Sequence, residues 1–288
     1  MGLRRSPNTV EFYRYAYKRL DRFLAGRPEQ TFAQWSPLLA DQYGKWLADG
    51  GAGPTTVKHY VDALRTLAGW SVKEGYLRRD PLERHAPLKA TPATVPGYRL
   101  EDVAAMVKCC NLATARGRRQ LAMLLLFLDS GLRVSELCAL TLGDLQLDKG
   151  TAVVRHGKGD RFRLVSYAAP TAEALRRYLL RDHPAGDSPS AHLFPGEGGG
   201  PLSRFTANRI MGRLAKRAGV TGDRLGCHRL RSACATQSLL AGANLAFVQQ
   251  LLGHEDVSTT QRYVRFLDDD LRRQRQESSP VARLKGVR

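Results

Sequence analysis

The chain has 288 residues, long for one domain and comfortable for two. Its hydrophobic share of 43% is enough to bury real cores and excludes a wholly disordered polymer. Lys and Arg number 45 against 27 Asp and Glu, a net charge of +18, and so positive a surface attracts polyanions, nucleic acid foremost.

An anionic membrane is the competing partner, and it needs a basic amphipathic helix or an anchor. The longest apolar run, LAMLLLFL at 121–128, is far short of a membrane span. The opening MGLRRSPNTV carries charge with no apolar stretch after it, unlike a secretory signal. The five cysteines, Cys109, Cys110, Cys138, Cys227 and Cys234, are odd in number and contain no C-x-x-C pair. They read as reduced, mostly buried thiols, which predicts a cytoplasmic protein without membrane attachment, disulfide framework or metal site.

Residues 6–85 predict a small helical unit. SPNTVEFYRYAYKRLDRFLAG opens on a Ser-Pro start signal, and Val10, Tyr13, Tyr17, Leu20 and Leu24 recur at helical spacing. SPLLADQYGKWLADGG is a second helix that ends on glycines. In GPTTVKHYVDALRTLAGWSVKEG, Val57, Tyr60, Val61, Leu64, Leu67 and Trp70 lie along one side, and Lys58, His59 and Arg65 along the other. Pro87, Pro92 and Pro96 then punctuate a stretch without apolar periodicity. This predicts an N-terminal helical domain over 1–88 and an extended linker over 89–98.

The remaining segment, 99–288, is mixed. LEDVAAMVKCC, RRQLAMLLLFLDSG and VSELCALTL read as helices, the second apolar enough to be buried. The period then changes. TAVVRH and RFRLVSY, separated by GKGD at 157–160, predict a β-hairpin, with Phe162 and Leu164 alternating with Arg161 and Arg163. TAEALRRYLLRD returns to helix, and the Gly-rich loop after it lacks the G-K-[ST] of a phosphate-cradling loop. SRFTANRIMGRLAKRAG carries Arg209, Arg213, Lys216 and Arg217. HRLRSACATQSLLAG and NLAFVQQLLG follow, the latter capped by Asn244. The whole predicts a mainly α fold with a small β-hairpin or sheet, in two domains.

Several side chains have both a chemical and an ordinary reading. Arg133 stands where a turn gives way to a helix, a place that suits an anion site or a plain surface arginine. Glu136, one turn on, is placed to hold Arg133 or simply to favour a helix start. His228 and Arg231 share a helix face at i and i+3, which suits phosphate chemistry but is a weak motif alone. Lys158 tips the hairpin, where lysine also serves solubility. His254 follows Gly253 at a helix end and complements its dipole. Ser258 and Gln261 form a capping box, so Tyr263 falls in the second turn of a helix, and read alone it is a packing tyrosine.

Taken together and in order, SGLRVSEL, GKGDRFRLV, HRLRSACAT and LLGHEDVSTTQRY resemble the tyrosine recombinases, also called the phage integrase family. The N-terminal helices resemble that family's helical core-binding domain. The chain is similar to its simpler members, which lack a further arm-binding domain. The resemblance makes 99–288 a catalytic domain of α+β type with a C-terminal tail. It implies a site-specific enzyme that cleaves and rejoins double-stranded DNA through a 3′-phosphotyrosyl link, with Tyr263 as nucleophile. It assigns Arg133 and Arg231 to the scissile phosphate, Lys158 to the leaving 5′-oxygen as general acid, and His228 to base or proton relay. It further assigns His254 to a hydrogen bond with the phosphate, and Glu136 to a supporting role.

No cofactor and no metal are implied. Lys58, Arg65, Arg209, Arg213 and Lys216 are the candidate DNA-backbone contacts. Family behaviour implies a homo-tetramer on paired sites and a monomer or weak oligomer when free. Ser232 stands where the family often has histidine, and Val264-Arg265 where many relatives have Thr-His. A type IB topoisomerase-like relaxing enzyme and a catalytically silent DNA-binding protein are the rival readings.

Overall fold

The computed structural model describes residues 7–27, 34–88, 96–155, 162–184 and 188–253. The chain divides into two compact units, Met1–Ala93 and Thr94–Arg288. The first holds α1 (Pro7–Ala25), α2 (Pro37–Asp49) and α3 (Pro54–Lys73). Each begins at a proline, whose missing N–H costs nothing in a first turn. Ser36 caps α2 by accepting a hydrogen bond from the Leu39 N–H at 3.3 Å. The predicted apolar stripes close on one core of Leu20, Phe23, Trp35, Leu39, Tyr43, Leu47, Val61, Leu64 and Leu82, while Val10 and Trp70, also predicted on those stripes, are exposed.

The second unit runs α4 (Leu100–Lys108), α5 (Ala115–Ser130), α6 (Val134–Ala139), β1 (Leu145–Gln146), β2 (Thr151–Val154), β3 (Arg163–Ser166), α7 (Ala169–Asp182), α8 (Arg204–Arg217), α9 (Cys227–Leu240) and α10 (Leu245–Leu252). Helix α5 is its spine and packs against α7, α8, α9 and β3. That is why 121–128 is apolar on nearly every side: Ala122, Met123, Leu124, Leu126 and Phe127 are all fully buried. The expected buried thiols are there: all five cysteines are free, and four are buried.

One local expectation is revised. VSELCALTL does not stay helical to its end. Helix α6 stops after Ala139, Leu140 turns extended, and Thr141 forms a β-bridge with His192. A short 3-10 turn at Leu142–Asp144 then feeds β1, so the predicted hairpin is part of a three-stranded antiparallel sheet in the order β1-β2-β3. The cause is long-range: the Leu140 carbonyl accepts from the Leu193 N–H at 2.8 Å, a partner 53 residues away that local periodicity does not contain.

The strand faces are also the reverse of what hydrophobicity alone would set. In β3, Val165 and Arg163 point inward while Leu164 is exposed, as is Phe162 just before it. Arg163 turns inward because a buried carboxylate waits there.

Residues 96–98, within the predicted linker, are fastened to α9. The Tyr98 N–H donates to the Arg229 carbonyl at 3.3 Å, and the Tyr98 hydroxyl accepts from the Gly226 N–H at 2.8 Å. The Arg229 guanidinium lies 4.6 Å from the centre of the Tyr98 ring and donates to the Pro96 carbonyl at 3.1 Å. These bonds hold the start of α9 from outside, while α5 holds it from within.

Leu124 is fully buried at the α5 core, so Leu124→Ala should cost about 2–5 kcal/mol in unfolding free energy, measured by urea denaturation of the full chain.

Candidate active site

Helix α5 ends on Gly131 in the left-handed region at φ 59°. A Cβ there would come within 2.6 Å of a Leu252 methyl, so both conformation and space require glycine. The tight turn delivers Arg133 to the start of α6. One turn on, Glu136 is buried, and its carboxylate accepts the Arg133 N–H at 2.7 Å and the Arg133 guanidinium at 3.0 Å.

Arg231 comes from the buried side of α9 and reaches the same place. It donates to the Gly131 carbonyl at 2.5 Å and to the Leu252 carbonyl at 2.8 Å. Arg133 donates to the next carbonyl, Gly253, at 3.2 Å. Both guanidiniums therefore meet the C-terminal end of α10, where unsatisfied carbonyls concentrate partial negative charge. The two differ in access: Arg231 is buried, whereas the Arg133 side chain is about half exposed. The structure thus brings together Arg133, Glu136 and Arg231 from segments about a hundred residues apart.

His228 sits one turn before Arg231 in α9 and its residue is exposed. Partial desolvation, then the positive charges of Arg231 and Arg224, hold its imidazole below the ordinary value of 6.5. At neutral pH it is uncharged and able to accept a proton. Lys158, His254 and Tyr263 lie outside the described residues, as does the capping box at Ser258 and Gln261. The chain enters that last stretch directly from Gly253.

The candidate backbone contacts fall in two places. Arg209, Arg213 and Lys216 are exposed on one face of α8, with Arg209 stacked 5.6 Å from the Phe205 ring. Lys58 and Arg65 lie on α3 of the first unit, where Lys58 is engaged by Asp62 one turn on. Among the described residues no three or more His, Cys, Asp or Glu side chains converge as metal ligands would, and no helix is long and apolar enough to cross a membrane.

Arg163 is the site residue that sequence reasoning missed. It meets Glu136 through two parallel bonds of 2.7 Å. Its sequence signal, an arginine in an alternating strand, is the same as that of any solvent-facing arginine.

Burial pushes the Glu136 carboxyl up, but the bonds from Arg163 and Arg133 outweigh it and leave the group at about 2, against an ordinary 4.5. A depressed carboxyl contributes stability above its unfolded value and loses it as pH falls through the folded one. The contribution of Glu136 should be complete above pH 4.5 and fade as pH falls toward 2. Glu136→Gln should cost roughly 3–5 kcal/mol at pH 7 and flatten that acid dependence, read from urea unfolding at neutral and acid pH.

Comparison with known proteins agrees with this architecture. The chain matches the phage integrase family over residues 99–269 and the phage integrase SAM-like domain over residues 1–88. It is 31% identical over 263 residues to tyrosine recombinase XerC of Thermodesulfovibrio yellowstonii, covering 90% of this chain and 85% of that one. It is 30% identical over 279 residues to tyrosine recombinase XerD of Staphylococcus saprophyticus, covering 96% and 94%. Among solved structures, XerA recombinase is 26% identical with a TM-score of 0.56, over 96% of this chain and 94% of that one. XerH site-specific recombinase bound to a palindromic difH substrate shares the fold at a TM-score of 0.74 and 20% identity, over 95% and 80%. The chain belongs to the phage integrase family and is a site-specific tyrosine recombinase.

Proposed function

We propose that this recombinase cuts and rejoins duplex DNA by transferring a DNA phosphate to Tyr263 and back. The Tyr263 oxygen attacks the scissile phosphorus, forming a 3′-phosphotyrosyl bond while the bond to the 5′-oxygen breaks. Lys158 protonates that leaving oxygen, giving a free 5′-hydroxyl. Attack by a 5′-hydroxyl of the partner strand reverses the step and restores the tyrosine. One phosphoester replaces another, so the exchange is close to energy-neutral and needs no nucleotide cofactor. Arg133 and Arg231 hold the non-bridging oxygens and offset the charge that builds in the transition state. His228 takes or relays the phenol proton, and His254 donates a hydrogen bond to the phosphate.

The observation that carries this reading is the convergence of Arg133 and Arg231 on one helix end, at the Leu252 and Gly253 carbonyls. Two guanidiniums held at adjacent carbonyls of one helix end are placed to meet one anion together. A neutral His228 beside Arg231 supports a proton-accepting role. The net charge of +18 and the basic outer face of α8 support double-stranded DNA as partner, with Arg209, Arg213 and Lys216 on its backbone and Lys58 and Arg65 adding contacts from the first unit. We assign the working assembly as a homo-tetramer on two paired DNA sites, in the cytoplasm; integration, excision, inversion and dimer resolution all use the same active site.

The test is capture of DNA bound covalently to the protein in cells, followed by sequencing. Wild type should yield adducts at a defined site. Tyr263→Phe should bind the same DNA and yield none; adducts on the variant would overturn the assignment. The adduct rate on the captured sequence should hold down to pH 6.5 and fall only below it, as His228 gains a proton. His228→Ala should remove that acid limb.

A further inference from the structure

The Glu136 carboxylate is fully occupied. One oxygen accepts from both the Arg133 and Arg163 guanidiniums, at 3.0 and 2.7 Å, and the other accepts from the Arg133 N–H and from Arg163, each at 2.7 Å. Four bonds use the roughly four acceptor positions that a carboxylate offers. Its side chain is only 4% exposed, so water does not replace a lost partner.

Arg163 is itself fixed from two directions. Its backbone is held by the sheet, where it stands opposite Val154. Its side chain lies directly under Gly253: a Cβ on that residue would come within 3.0 Å of the Arg163 Cδ, Nε and Cζ atoms. The Nε–H is buried there with no hydrogen-bond partner among the described residues. A buried donor left unmade is costly, and it persists where the rest of the side chain is held by something stronger. Gly253 in turn offers its carbonyl to Arg133. Arg163 thus borders both things that Arg133 holds on to, the Glu136 carboxylate and the end of α10.

We propose that Arg163 is a positioning residue for strand cleavage: paired with Glu136 and set beneath Gly253, it fixes the place from which Arg133 meets the scissile phosphate. The inference rests on Arg133 being a phosphate ligand. Without Arg163 the carboxylate keeps one half-exposed partner, turns more freely and is protonated more easily. Arg133 then loses its rigid mount, and the carboxylate left short of a cation also lowers stability, a general effect that the control variant below separates from the effect on rate.

Single-turnover adduct formation on a nicked duplex of the captured sequence, followed from about pH 5 to 9, tests this with the full-length chain. Arg163→Gln should slow adduct formation roughly 10²-fold at neutral pH, the scale of an ångström-sized misplacement. The variant should also lose rate at the acid end of this range beyond the loss that His228 protonation causes in the wild type, as the less well held Glu136 takes up a proton. Arg163→Lys should recover part of the rate, since it restores charge but not the paired geometry.

Asp182→Asn is the control. It breaks a comparably buried, two-bonded pair with Arg118, at 2.6 Å for each bond, between α5 and α7 away from the site. It should lower thermal stability and leave rate and pH profile unchanged. A wild-type rate and profile in Arg163→Gln would overturn the proposal. So would equal slowing by Asp182→Asn, which would reduce the effect to general destabilisation. If Arg163→Gln does not fold, a wild-type rate and profile in Arg163→Lys overturns it in the same way. Absence of any adduct from the wild type would instead overturn the reading of the site itself.

Discussion

The buried carboxylate of Glu136 is the constraint on which the rest of the site depends. A charge removed from water must be met by opposite charge and by hydrogen bonds, and here two arginines and a backbone N–H meet it. One of those arginines belongs to the turn after α5, the other to a strand. A single side chain therefore ties the helical and sheet parts of the second unit together. It also explains an arginine on the inward face of a strand whose exposed neighbours are Phe162 and Leu164.

The two candidate phosphate ligands are held by different means. Arg231 is buried and bound to the carbonyls of Gly131 and Leu252, so its place depends on where α5 and α10 end. Both ends are glycines in the left-handed region, Gly131 and Gly253, and both are crowded where a side chain would be. Arg133 is about half exposed and is steered by Glu136 from below and by the Gly253 carbonyl from the side. This arrangement keeps one cation rigid and desolvated and the other accessible. Such a pair suits an anion that must be gripped firmly and then released, because electrostatic stabilisation is strongest where the donors are preorganised.

Most of the helices were legible in the residues because their signals are local. Ser36, Asn244 and the leading prolines mark starts, and the apolar spacing in α3 and α5 marks which side is buried. The early end of α6 was not legible, because the bond that draws Leu140 out of the helix comes from Leu193. Strand β1 was hidden for a related reason: two residues carry too little pattern to be read, and only pairing with β2 defines them. Arg163 was hidden because an arginine in an alternating strand has the same signature whether it meets water or a buried carboxylate.

By itself, then, the sequence determined the class of the molecule. Its charge pointed to a polyanion, its periodicities to a helical unit joined to a mixed one, and its ordered motifs to the tyrosine recombinases. Each of those properties is carried by composition or by neighbours a few residues apart. The tertiary structure alone decided which side chains share a site. Arg133 and Arg231 are 98 positions apart in the sequence, yet donate to adjacent carbonyls at one helix end. Arg163 joins them through Glu136 because burying a carboxylate demands a cation, and only the packed fold sets which cation is near enough to answer.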